Sequence, residues 1–76
     1  MDAKSFTMIS TTNPRFKYLE GYMSGILVYD TKNNVYWLND FHTSHVKETK
    51  VNKRNKTITI TTLNSVYIFK ENKWVY

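Results

Sequence analysis

The sequence has no cysteine, only two glycines and no long apolar run. Without cysteine there is neither a disulfide framework nor a thiolate zinc site. Two glycines are too few for the glycine-rich loops that cradle phosphates in nucleotide-binding enzymes. No apolar run approaches the ~20 residues of a membrane-spanning helix, so we expect no membrane insertion. A single small domain, residues 1–76, must then be stabilised by side-chain packing alone.

The first five residues, Met1 to Ser5, lack the charged, apolar and small segments of a secretory signal. We therefore expect a cytoplasmic protein. At this chain length folding buries only about 60% of the surface of the unfolded chain, which leaves little room for a deep substrate cavity.

Residue types that favour strands dominate the composition, since Val, Ile, Thr, Tyr, Phe and Trp make up 33 of the 76 residues. The clearest strand is 57–63, where Ile58 and Ile60 alternate with threonines. Further strands are predicted at 22–29, 35–38, 46–51, 65–70 and 74–76, with an edge strand at 5–9. Short clusters rich in Asn and Lys separate them and predict hairpins. We expect an all-β fold, either a small twisted antiparallel sheet or a partly open SH3-like barrel of five to six strands.

One short helix is predicted near the N-terminus. Asn13 is placed as its N-cap, Pro14 at its first position and Gly21 just after its end, which frames residues 15–20. A helix this short forms only if Phe16 and Leu19 pack on the sheet. An irregular loop is the alternative.

Aromatic residues are too numerous for a core of this size, since each of the 12 brings roughly 150 to 250 Å² of surface. We therefore expect exposed rings and take Tyr29, Tyr36 and Tyr67 as candidates for contact with a partner. The alternative is that tyrosines sit at the rim with their hydroxyls in water. Dimerisation is a third explanation for the excess of aromatic residues, because the uncharged stretch 57–69 would pair with a second copy if it lay at a sheet edge.

Positive charge is concentrated in one predicted hairpin. Residues 45–56 carry +4 of the net charge of +5. The candidate contact residues are Lys47, Lys50, Lys53, Arg54 and Lys56. They would bind nucleic acid or an acidic protein surface, or they only keep a sheet edge soluble and unpaired.

Residues for catalysis or metal binding are few. His42 and His45 lie near Asp40 and Glu48, a spacing that would suit a metal on a helix. The segment is instead predicted to connect two strands, where these side chains scatter. We therefore assign no catalytic residue, no metal site and no cofactor, and expect no enzyme.

The last 35 or so residues carry a resemblance. Thr43-Ser44-x-Val46, a Thr-rich strand and Asn64-Ser65-Val66-Tyr67-x-Phe69 resemble the ending of short all-β accessory proteins of phages and mobile elements. Anti-CRISPR proteins are among these. The resemblance implies a non-catalytic inhibitor of a host defence complex, acting in the cytosol of a bacterial host, and it carries over no site residues.

The leading hypothesis is a binding module that inhibits a host nucleic-acid-processing or defence complex through protein–protein contact. Its partner would be a host protein or a ribonucleoprotein complex. A direct nucleic-acid-binding regulator or architectural protein is the alternative, and a virion structural or assembly protein is the third.

Overall fold

The computed structural model describes residues 5–72, which form one open antiparallel sheet of seven strands. The strands are β1 (Ser5–Thr11), β2 (Ser24–Asp30), β3 (Val35–Leu38), β4 (Phe41–His42), β5 (Val46–Asn52), β6 (Thr57–Thr62) and β7 (Val66–Glu71). Across the sheet they follow the order β4-β3-β2-β1-β7-β6-β5. The all-β prediction is confirmed.

Alternation of side chains along the central strands builds the core. Ile60 pairs with Tyr67 and Ile58 pairs with Phe69 across β6 and β7, while Met8 of β1 lies opposite Phe69. Met8, Ile60 and Phe69 have no exposed surface, and Tyr67 is 2% exposed. Because successive residues of a strand face opposite sides, Thr57, Thr59 and Thr61 of β6 point away from this core.

The first and last parts of β2 pair with different neighbours, which lets the sheet fold over its own core. Ser24 to Ile26 pair with β1, whereas Leu27 to Asp30 pair with β3. Leu38 of β3 is 1% exposed, and the Phe41 ring lies 5.6 Å from that of Tyr67. Strands β3 and β4 therefore close the core from the side opposite β6 and β7.

Asn34 holds this curl in place. Its main-chain oxygen accepts a hydrogen bond from the Val46 N–H at 3.0 Å, and its side-chain amide donates to the Val46 carbonyl oxygen at 3.0 Å. Its φ of 53° is a left-handed conformation that asparagine tolerates. These bonds join the start of β3 to the start of the opposite edge strand, β5. The sheet nevertheless stays open, so it differs from an SH3-like barrel.

Several strand predictions need correction. The sheet has seven strands where five to six were predicted, because β4 is only two residues long and carries no periodic signal. The strand predicted at 5–9 as an edge extends to Thr11 and lies between β2 and β7. The strand predicted at 22–29 begins at Ser24. The prediction for 74–76 lies outside the described residues.

The predicted helix at 15–20 is wrong, and a 3-10 turn at Lys17–Leu19 takes its place. Asn13 Oδ1 does accept a hydrogen bond from the Arg15 N–H at 3.0 Å, as an N-cap would, but only a single turn follows. The segment is too short to offset the cost of helix nucleation. Phe16 still packs on the core, with its ring 4.6 Å from that of Phe41. Within residues 5–72 no helix has the length and apolar character needed to cross a bilayer.

The buried face of β6 predicts a stability difference between two like substitutions. Ile60→Val should lower the free energy of unfolding by about 0.5–1.5 kcal/mol, because it removes one methylene from a fully buried side chain. Ile26→Val makes the same change at a side chain that is 52% exposed and should have little effect. Urea unfolding of both variants measures the two values. Equal losses would contradict the assignment of the core face.

The hydrogen bonds of Glu20 predict that the stability of the fold depends on pH. The Thr11 N–H donates to the Glu20 carboxylate at 3.0 Å and Lys17 donates at 3.2 Å, and these bonds lower the pKa of Glu20 below the ordinary value of a glutamate. A carboxyl whose pKa is lower in the folded state stabilises the protein above its unfolded pKa, and this contribution disappears as the pH falls through its folded pKa.

Urea unfolding between about pH 7 and pH 3 tests this, comparing the wild-type protein with Glu20→Gln. The stability gap between the two should shrink on acidification. A gap that stays constant with pH would mean that the Glu20 charge contributes nothing.

Candidate binding surface at the β5–β6 hairpin

The turn between β5 and β6 has a defined conformation. Asn52 Oδ1 accepts a hydrogen bond from the Asn55 N–H at 3.0 Å, which closes the first part of the turn. Lys56 ends it with a φ of 58°, and its carbonyl oxygen accepts from the Glu71 N–H at 2.8 Å. The turn is thus fastened to the end of β7, and its side chains project from a fixed backbone.

All five basic residues predicted to contact a partner are exposed: Lys47, Lys50, Lys53, Arg54 and Lys56. They do not form a single cluster. Lys53 lines a groove of about 380 Å³ on the core side of the hairpin, beside Val51 and Ile58. Arg54 lines a groove of about 510 Å³ on the opposite side, and Lys56 borders both grooves.

The two basic residues on β5 differ in their surroundings. Lys47 lies where the pairing of β5 with β6 is irregular, between Val46 and Glu48. Lys50 pairs with Thr59, so it shares the outer face of the sheet, and its Nζ is 3.9 Å from the Glu48 carboxylate. An exposed pair at this distance contributes little to stability.

Lys70 joins the candidate surface although the sequence did not single it out. It pairs directly with Thr57 and lines the same groove as Arg54. Alternation along β7 places it on the face opposite Tyr67 and Phe69. The register of β6 against β7, which brings Lys70 beside the turn, could not be predicted from the sequence.

The three candidate tyrosines have different environments. Tyr67 is buried, and its hydroxyl accepts a hydrogen bond from the Asn13 side-chain amide at 3.0 Å, so its ring belongs to the core. Tyr29 is 43% exposed and its ring lies 4.9 Å from that of the half-buried Tyr36. The Tyr29 hydroxyl donates a hydrogen bond to Asn34 Oδ1, next to the start of β5. The basic turn follows the other end of this strand, roughly 20 Å away.

Other exposed rings lie where the sequence had not placed candidates. Tyr18 is 75% exposed and Tyr22 is 82% exposed, both near the 3-10 turn. Trp37 is 36% exposed and lies 4.7 Å from the imidazole of His42. The expected exposed aromatic surface therefore exists, but it is spread over several parts of the sheet.

The acidic and imidazole side chains of 40–48 do not converge. His42 lies on β4 against Trp37, and its Nδ1 is 2.9 Å from the Thr43 carbonyl oxygen. His45 precedes β5, where its carbonyl oxygen accepts from the Leu63 N–H. Among residues 5–72 no three His, Asp or Glu side chains come together as a metal site would require.

The stretch 57–69 lies inside the sheet. β6 and β7 have neighbours on both sides, so the edge position that pairing with a second copy would need is not met there. The edges are β4 and β5, and β5 carries an irregular register and exposed lysines, both of which discourage strand pairing.

Comparison with protein-family models, with curated proteins and with solved structures gives no match to this chain. The features that bear on function are accordingly the exposure, charge and register described above.

Lys56 predicts an unusual stability result. Its left-handed φ disfavours lysine but suits asparagine, so Lys56→Asn should leave the free energy of unfolding unchanged or raise it by up to about 1 kcal/mol. Lys53→Asn removes the same charge from the same turn without this backbone gain. Urea unfolding compares the two variants, and a larger loss for Lys56→Asn would contradict the account of the turn.

Proposed function

We propose that the protein is a non-catalytic binding module that inhibits a host nucleic-acid-processing or defence complex by direct contact. The hairpin of β5 and β6 makes this contact, with an acidic surface on a host protein or a ribonucleoprotein complex as its partner. This is the mode of action that the resemblance to anti-CRISPR-like accessory proteins implies.

One observation carries the proposal. The hairpin projects five exposed cations from a sheet edge, and the only acidic residue within it is Glu48. Hydrogen bonds of Asn52 and Lys56 already order the turn backbone, so binding a partner costs little additional conformational entropy there. Cations on a rigid projecting turn speed up association with an acidic partner and set its orientation.

The exposed apolar surface supports the same proposal. Val51 on β5 is 65% exposed, and together with Phe6 and Ile58 it lines the core-side groove next to Lys53. An apolar groove beside a cation suits a protein partner, since interfaces combine an apolar centre with a charged rim.

Substitution of the turn cations tests the proposal. Lys53→Glu combined with Arg54→Glu should strongly reduce capture of host nucleic-acid-processing proteins from bacterial lysate at physiological salt, because two attractive contacts become repulsive. The measurement is affinity capture of the tagged protein, with quantitative mass spectrometry of the retained complex.

Arg15→Glu combined with Lys32→Glu is the matched control. Both residues are exposed and lie outside the hairpin, and either double variant lowers the net charge from +5 to +1. The control should capture the same complex as the wild-type protein. Equal capture by both double variants would remove the hairpin from the contact.

A further inference from the structure

The outer face of the sheet contains a concave site at the base of the basic turn. This groove of about 510 Å³ is lined by Ile9, Arg54, Asn55, Lys56, Thr57, Lys70 and Glu71. It combines cations from two elements that are distant in sequence, since Lys70 comes from β7 and Arg54 and Lys56 come from the turn. We call it the outer groove.

The outer groove is held open by main-chain bonds. The Glu71 N–H donates a hydrogen bond to the Lys56 carbonyl oxygen at 2.8 Å. Next to this bond, Thr57 of β6 pairs directly with Lys70 of β7. Ile9 lies at a break in the pairing of β1 with β7 and is 42% exposed, so an apolar side chain forms part of the wall. The cations therefore stand around a preformed depression.

Within residues 5–72 no salt bridge neutralises the cations of the outer groove. Between residues 5 and 72 the ion pairs are Lys17 with Glu20 and Lys50 with Glu48, and neither includes a cation of the outer groove. Glu71 also lines the groove, which leaves three positive charges against one negative charge. The site thus favours an anion.

A row of polar side chains continues from the outer groove across the sheet. Consecutive cross-strand partners in this row are Asn52, Thr57, Lys70, Thr7 and Ser24, on β5, β6, β7, β1 and β2. Four strand spacings of about 4.8 Å give the row a length of about 19 Å. Hydroxyl, amide and ammonium groups are the side-chain groups that proteins use to contact phosphates.

The direction of the row distinguishes between acidic partners. A peptide that extends the sheet would run parallel to β5 and use its edge, whereas this row runs perpendicular to the strands on the face. A perpendicular line of polar side chains with Lys70 at its centre suits a chain of regularly spaced anions. None of the five side chains in the row is aromatic, so the row offers no platform on which bases would stack.

We propose that the outer groove and its polar row bind the phosphate backbone of nucleic acid without reading its bases. The inference rests on the proposed function, because it assigns the nucleic acid of the host complex as the acidic surface that this face contacts. Arg54, Lys56 and Lys70 neutralise phosphates, while Thr57, which lines the same groove, donates a hydrogen bond that orients the backbone. Since binding depends on charge density, duplexes should bind at least as tightly as single strands.

Fluorescence anisotropy with a labelled duplex of arbitrary sequence tests the inference over a salt series. Three phosphate contacts predict that affinity falls about 40-fold between about 50 and 200 mM salt. Lys56→Asn combined with Lys70→Gln leaves one contact, so its affinity should fall only about 3- to 4-fold over the same range. The same duplex with a permuted sequence should bind the wild-type protein equally well.

Arg15→Gln combined with Lys32→Gln removes the same net charge elsewhere and should retain the salt dependence of the wild-type protein. No duplex binding at about 50 mM salt, or an equal change of salt dependence in both double variants, would overturn the inference.

Affinity capture after nuclease treatment separates the two proposals. A host complex that is still captured, by a protein that binds no duplex, would leave the proposed function standing with a purely protein contact. Loss of capture on nuclease treatment, together with the predicted salt dependence, would support both proposals.

Discussion

The dry face formed by β1, β6 and β7 is the constraint on which the rest of the structure depends. Met8, Ile60 and Phe69 are fully buried on it, and a shift of one residue in any of these strands would move such side chains into water. With the core face fixed, Thr57 and Lys70 must lie on the other face. The position of the charged side chains thus follows from the packing of apolar ones.

The opposite half of the sheet closes the core over this buried face. Residues 5–72 form no helical layer over this face; instead, β2 changes neighbours along its length and brings Leu38 and Phe41 over the rings of β7. Asn34 then joins β3 to β5 by two hydrogen bonds. The outer face of β5, β6 and β7 remains uncovered by any other part of residues 5–72.

Local patterns in the sequence predicted much of this fold. The alternation around Ile60 identified β6 and its core face, and 35–38 coincides with β3. Non-local features were out of reach: the central position of β1 depends on pairing with β7, more than fifty residues later in the chain. The helix prediction failed because the segment is too short to offset the cost of helix nucleation, so only the turn at Lys17–Leu19 forms.

For the candidate surface too, local features were predictable from the sequence and non-local features were not. Clustering of charge in the sequence was enough to identify the hairpin cations, and all of them are exposed. It did not reveal that Lys53 and Arg54 border different grooves, nor that Lys70 adjoins the turn, because both facts depend on strand register. Tyr67 was taken for a contact residue because alternation alone does not tell which face of β7 is dry.

A titration of the ¹⁵N-labelled protein with a short DNA duplex, followed by NMR, tests most directly whether the outer face is the binding surface. The account predicts that amide shifts change at residues 54–57, at Lys70 and at Thr7, while those of Leu38 and Tyr36 stay in place. Changes centred on Tyr18, Tyr22 or Trp37, or no changes at all, would contradict it.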